Sequence, residues 1–158
     1  MTYTLGIYEK SMPGNLSWKE KLTIAKNAGY DFLEMSVDET DEKLARIEWS
    51  KQERKELVDA MYEVGLPIRS MCLSGHRKYP LGSHDPLIRA KSLEIMEKAI
   101  ELADDLGIRI IQLAGYDVYY EDGDQQTKEY FIEDLQKAGD MASKKGILLG
   151  FETMETPF

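Results

Sequence analysis

Two carboxylates stand where the sequence otherwise places only apolar residues: Glu34 in DFLEMS and Glu152 in LLGFETM. A buried polar group without a partner costs about 2–7 kcal/mol, so each must be paired, solvated or used. Held at the end of a rigid strand beside a polar cavity, a carboxylate serves as a hard metal ligand or as a general base. The competing readings are a structural ion pair for Glu152 and a solvated acidic loop for Glu34, whose segment runs on into VDETDEK. A third group follows in SGHRKYP, where His76 can bond a sugar hydroxyl or ligate a metal while Arg77 and Lys78 can meet a phosphate. A loop histidine flanked by two solvated cations fits that string equally. Tyr116, Tyr119 and Tyr120 either wall a sugar pocket or pack a loop onto a rim. Glu9, Lys10, Ser36, Asp38, Ser74, Gln112 and Glu155 complete the polar strand ends, and His84 in GSHDP reads as turn chemistry at a helix entrance. Cys72, inside IRSMCLS, reads as core, and no G-x-S-x-G elbow accompanies it.

The elements that must carry these residues repeat. Four times a helix-period segment ends in glycine and an apolar run follows at once, at Gly29, Gly65, Gly107 and Gly146, with spacings of 36, 42 and 39 residues. Glycine suits the left-handed conformation that closes a helix, and a continuous apolar run suits a strand of a parallel sheet. TLGIY at 4–8 predicts a first strand. Ser17 with Glu20, and Ser50 with Glu53, predict capped helix starts; a third helix follows Pro86 and a fourth covers 125–145. Five strands and four helices in strict alternation leave an open doubly wound sheet or a (β/α)8 barrel. Units of about 40 residues, and a first turn EKSMPGNLSW without GxGxxG, favour the α/β TIM barrel. Such a barrel takes roughly 250 residues. The expectation is therefore that residues 1–158 are the N-terminal portion of a single barrel domain, truncated after strand five.

Composition narrows the partners. A net charge of −9 argues against nucleic acid and anionic membranes, and the sequence has no long apolar run and no secretory signal, which reads as cytoplasmic. With one cysteine there is no intrachain disulfide and no thiolate metal cluster, so any metal takes oxygen and nitrogen ligands.

LGIYEK, FLEMSVDETDEKLARIEWS, SMCLSGHRKYPLGS and IRIIQLAGYDVYY closely resemble the L-ribulose-5-phosphate 3-epimerases of bacterial L-ascorbate utilisation, within the superfamily of xylose-isomerase-like barrels. The resemblance runs over essentially the whole chain. It implies a metal-dependent isomerase acting on a small sugar phosphate, with a divalent ion (Mn, Mg, Zn or Co) and assembly as a homo-oligomer. It makes Glu152 the strand-five metal ligand and one of two glutamates that exchange the C3 proton on opposite faces. His76 and Glu34 correspond to polar residues of the substrate pocket, and Arg77, Lys78 and Tyr116 are the further substrate contacts expected. The remaining family ligands, an aspartate, a histidine and a second glutamate, belong to strands six to eight, beyond Phe158, so the isolated chain is expected to be inactive. An aldose-ketose isomerase and a non-catalytic sugar-phosphate-binding fragment are the alternatives.

Overall fold

A computed structural model describes residues 3–154. Glu155 falls outside them. Five strands, β1 (Gly6–Tyr8), β2 (Phe32–Val37), β3 (Ile68–Leu73), β4 (Ile110–Gly115) and β5 (Leu148–Thr153), alternate with α1 (Trp18–Asn27), α2 (Asp41–Leu44), α3 (Lys51–Val64), α4 (Pro86–Leu106) and α5 (Gln125–Lys144).

Local chemistry accounts for the helix ends. Ser17 and Ser50 each accept from the backbone N–H three residues on, and Glu20 and Glu53 return the bond, closing two capping boxes. Asp85 caps α4 with Pro86 in its first turn, and Asp124 caps α5 through Thr127. Gly65 and Gly107 cap α3 and α4 at φ 71° and 73°, where a Cβ would be strained. The other two repeat glycines share this backbone.

The strands form one all-parallel sheet in the order β1-β2-β3-β4-β5. A doubly wound sheet reverses its strand order at a switch point. Here spatial order equals chain order, and right-handed crossovers then place every helix on the same face. The contacts agree, since α1 packs on α3, α3 on α4 and α4 on α5 in a single layer. This is the arc of a barrel, not the open sheet.

Alternation divides each strand between two faces. Leu33, Met35 and Val37 of β2, Met71 and Leu73 of β3, and Ile111 and Leu113 of β4 are buried against Leu22, Ile95, Met96, Leu102 and their neighbours on the helices. Each such side chain contributes about 1.5–3 kcal/mol by leaving water. The residues between them, including Glu34, Ser70, Cys72, Gln112 and Glu152, line the concave inner face.

Two local expectations needed correction. The acidic run after β2 is not a plain loop: Thr40 caps α2, and a 3₁₀ turn at Ala45–Glu48 buries Arg46 and Ile47. Cys72 lies outside the apolar core, half-buried on the inner face beside Tyr8.

Candidate functional site

The inner face is a ladder of polar residues set by register. Tyr8 of β1 stands opposite Glu34, Glu34 opposite Ser70, and Ser70 opposite Ile110 and then Leu148; one step along, Ser36, Cys72, Gln112 and Gly150 align; then Ala114 and Glu152. Phe32, Glu34, Arg69, Ser70, Gln112 and Glu152 border one cleft of about 520 Å³. Both carboxylates are held by neutral donors from the preceding or following strand. The Ser70 hydroxyl donates to Glu34 Oε2 at 2.6 Å, and the Gln112 amide donates to Glu152 Oε2 at 2.6 Å. Neither donor carries charge, so each orients a carboxylate without neutralising it.

Between them the Tyr8 hydroxyl donates to Ser36 Oγ at 3.2 Å. Burial raises the Tyr8 phenol above its usual range, and the neighbouring Glu34 adds to the effect. Burial likewise pushes the Cys72 thiol up against the opposing Tyr8 hydrogen bond, with Glu34 and, more weakly, Glu152 adding to the rise. Cys72 is thus a protonated thiol at neutral pH and unsuited to nucleophilic work.

His76 sits in the 3₁₀ turn Gly75–Arg77 after β3 and is buried, its Nε2–H donating to the Ser92 carbonyl at 3.2 Å. Burial lowers its pKa to about 4, so it is neutral. It borders a small cavity with Leu81, Leu113, Ala114, Tyr116 and Phe131. The Tyr116 hydroxyl is also buried. It lies close to Arg77, but among the described residues neither that hydroxyl nor Arg77 Nε makes a hydrogen bond of good geometry. Arg77 stacks over Tyr119 at 4.7 Å and approaches Glu39 at 3.6 Å, while Tyr120 donates to the same Glu39 at 3.1 Å. These tyrosines bind the β4 loop to the loops after β2 and β3, which is rim packing. Lys78 approaches the exposed Asp41 at 3.7 Å.

Other polar strand ends are engaged in structure. Glu9 is enclosed by Lys21 at 2.7 Å, Arg46 at 2.6 Å and the Ser36 N–H at 2.9 Å, with Trp18 and Trp49 stacked on Arg46. Asp38 takes Lys10 at 2.7 Å and the Thr40 hydroxyl at 2.6 Å. His84 meets Asp124, the α5 cap, at 3.1 Å. Sequence reasoning passed over Ser70 as a site residue and left Gln112 as a bare strand end, because both are defined by a partner 36 or 40 residues away.

No three His, Cys, Asp or Glu side chains converge among the described residues. Glu152 offers one hard oxygen donor, Oε1, which makes no hydrogen bond among them. No helix among them is long and apolar enough to cross a membrane. A second, apolar cleft of about 510 Å³, lined by Val58, Met61, Leu66 and Leu106, lies where β3 begins and α4 ends, away from these carboxylates.

Residues 22–158 match the xylose isomerase-like TIM barrel family. The L-ribulose-5-phosphate 3-epimerase UlaE of Shigella boydii serotype 18 is 52% identical over 153 residues, covering 97% of this chain and 54% of that protein. The chain spans about half the length of the curated relatives it matches. Among solved structures, a D-psicose 3-epimerase aligns with a TM-score of 0.77 at 17% identity, over 93% of this chain and 51% of the other. An L-ribulose 3-epimerase aligns at 0.72 and 20% identity, over 95% and 49%. At these identities the structural likeness speaks to the fold.

Proposed function

Because the chain belongs to the xylose isomerase-like TIM barrel family, we propose that its inner face supplies half of the active site of a sugar-phosphate 3-epimerase interconverting L-ribulose 5-phosphate and L-xylulose 5-phosphate. The observation that carries this reading is the 52% identity to an L-ribulose-5-phosphate 3-epimerase along nearly the whole chain, with Glu34 and Glu152 both exposed to one cleft.

Epimerisation at C3 removes a proton next to the C2 carbonyl and returns one to the opposite face. A divalent ion, when bound, supplies positive charge at the developing enediolate oxygen. The chemistry of Glu152 fits such a group, since a carboxylate oxygen without a hydrogen bond among the described residues is a hard donor, and several oxygen donors are the usual requirement. The other donors then come from outside residues 3–154. Glu152 serves as metal ligand and strand-five carboxylate of the proton-exchanging pair. Glu34, steadied by Ser70, borders the sugar, and the neutral His76 with Tyr116, buried after β3 and β4, support the substrate pocket from behind. Arg77 and Lys78, whose acidic partners stand no closer than 3.6 Å, can turn toward the phosphate. The same reading places the protein in L-ascorbate catabolism, in the cytoplasm and as a homo-oligomer.

Proton NMR in D₂O tests it, with L-xylulose 5-phosphate and Mg²⁺, on this chain and on a longer polypeptide that adds the remaining barrel strands. Loss of the C3 proton signal and growth of L-ribulose 5-phosphate in the longer protein alone is the expected result. Exchange at C1 in its place would establish the isomerase, and no exchange in either protein would leave a binding function.

A further inference from the structure

The contact between Gln112 and Glu152 has a geometry that packing alone does not require. Gln112 pairs in register with Gly150, and Glu152 pairs with Ala114, so the amide crosses diagonally from β4 to β5. The two residues beside that diagonal are small, and a Cβ at Gly150 would meet only Ile110 and the Ile111 carbonyl, at 3.8 Å and 3.9 Å. Gly150 puts no side chain opposite Gln112, and the methyl of Ala114 leaves Glu152 uncrowded. The result is a 2.6 Å bond to one oxygen of a carboxylate that is otherwise exposed. An exposed glutamate ordinarily samples several rotamers. A single neutral donor from a half-buried strand residue removes that freedom and leaves the negative charge in place.

We infer that Gln112 is a positioning residue: its amide N–H holds Oε2 of Glu152 and reserves Oε1 as the oxygen that meets the divalent cation or the C3 proton. This rests on the epimerase reading given above for the role of Glu152, but the contact itself is a property of this chain. Partners of a metal-ligating carboxylate fix its orientation, and their loss typically weakens metal affinity by about 10–100-fold.

The test uses the longer polypeptide that adds the remaining barrel strands, ¹⁵N-labelled and titrated with Mn²⁺, with Gln112→Met, which keeps the length of the side chain without its donor, and Gly150→Leu, which puts a side chain opposite Gln112 without replacing either partner. The Gln112 side-chain NH₂ resonance of this polypeptide is expected to move on Glu152→Gln, and in the unsubstituted polypeptide Mn²⁺ is expected to broaden the backbone amides around residue 152. Gln112→Met and Gly150→Leu should then need about 10–100-fold more Mn²⁺ for the same broadening. An NH₂ signal indifferent to Glu152→Gln, or equal Mn²⁺ sensitivity in both variants and the parent, overturns the positioning role. A parent polypeptide, with all barrel strands present, whose NH₂ signal responds but whose residue-152 amides ignore Mn²⁺ overturns the cation part of the inference and counts against the metal-dependent epimerase.

Discussion

Arg46 grips Glu9 with both arms of its guanidinium, Nη1 to Oε2 at 2.6 Å and Nη2 to Oε1 at 2.8 Å, and Lys21 completes the enclosure. Burial by itself pushes the Glu9 carboxyl up; the Arg46 and Lys21 bonds, with the Ser36 N–H, outweigh it and hold it at about 2. Removing one member leaves buried charge without its partner. Glu9→Gln is expected to cost about 3–5 kcal/mol in urea unfolding. Because the folded carboxyl titrates below its unfolded value of about 4.3, its contribution is complete above that pH and is lost as pH falls toward 2. The variant should therefore lose part of the parent's acid sensitivity in that window.

His76 carries the opposite expectation about charge. Its folded pKa of about 4 lies below the free value, so acid favours the unfolded chain, and stability that is whole above about 6.5 drains as pH falls toward 4. In a proton-carbon NMR titration the His76 ring should hold its neutral shifts down to about pH 4. His76→Phe removes the donor to the Ser92 carbonyl and should cost about 1–3 kcal/mol at pH 7 while flattening the acid limb. Titration of the His76 ring near 6.5 would contradict this account.

Gly115 touches the site through the backbone. A Cβ there would stand 2.6 Å from the Glu152 carbonyl oxygen and 2.9 Å from the Phe151 ring, neither of which can swing aside like a flexible chain end. Gly115→Ala should cost about 1–3 kcal/mol and shift the amides of β5 more than those of β2. An unshifted β5 would mean that the β4–β5 seam has slack enough to take a methyl group.

The functional carboxylates separate by role. Within a C3-exchanging protein, Glu152→Gln should lower exchange by about 10²–10⁴-fold, the range for a lost proton-transfer group. Glu34→Gln keeps an acceptor for the Ser70 hydroxyl, so its effect should fall mainly on KM. Equal losses in kcat for both variants would assign Glu34 to proton transfer as well.

Much of the architecture is local in origin and was legible for that reason. Ser50 with Glu53, Pro86, and a glycine before each apolar run are signals complete within a few residues, and the structure places helix ends there. Glu34 and Glu152 announced themselves as charges in apolar strands. What stayed hidden depended on distant partners: Arg46 sits in a stretch that reads as a solvated acidic loop, and its burial follows from Glu9, 37 residues earlier. Gln112 gains meaning only once parallel register sets it beside Gly150. Cys72 was misplaced because an apolar strand does not say which of its two faces meets the helices.

The sheet whose spatial order repeats its chain order has a kinetic consequence. Among the described strands each finds its neighbour one repeat away, 26 to 40 residues along the chain, and none of these four pairings waits for a later segment. Loop closure over such distances is cheap, and each doubling of length adds only about 0.6 kcal/mol. The sheet can therefore grow one strand at a time in the order of translation, with the Glu9 clasp already available to lock the first two strands when Arg46 leaves the ribosome.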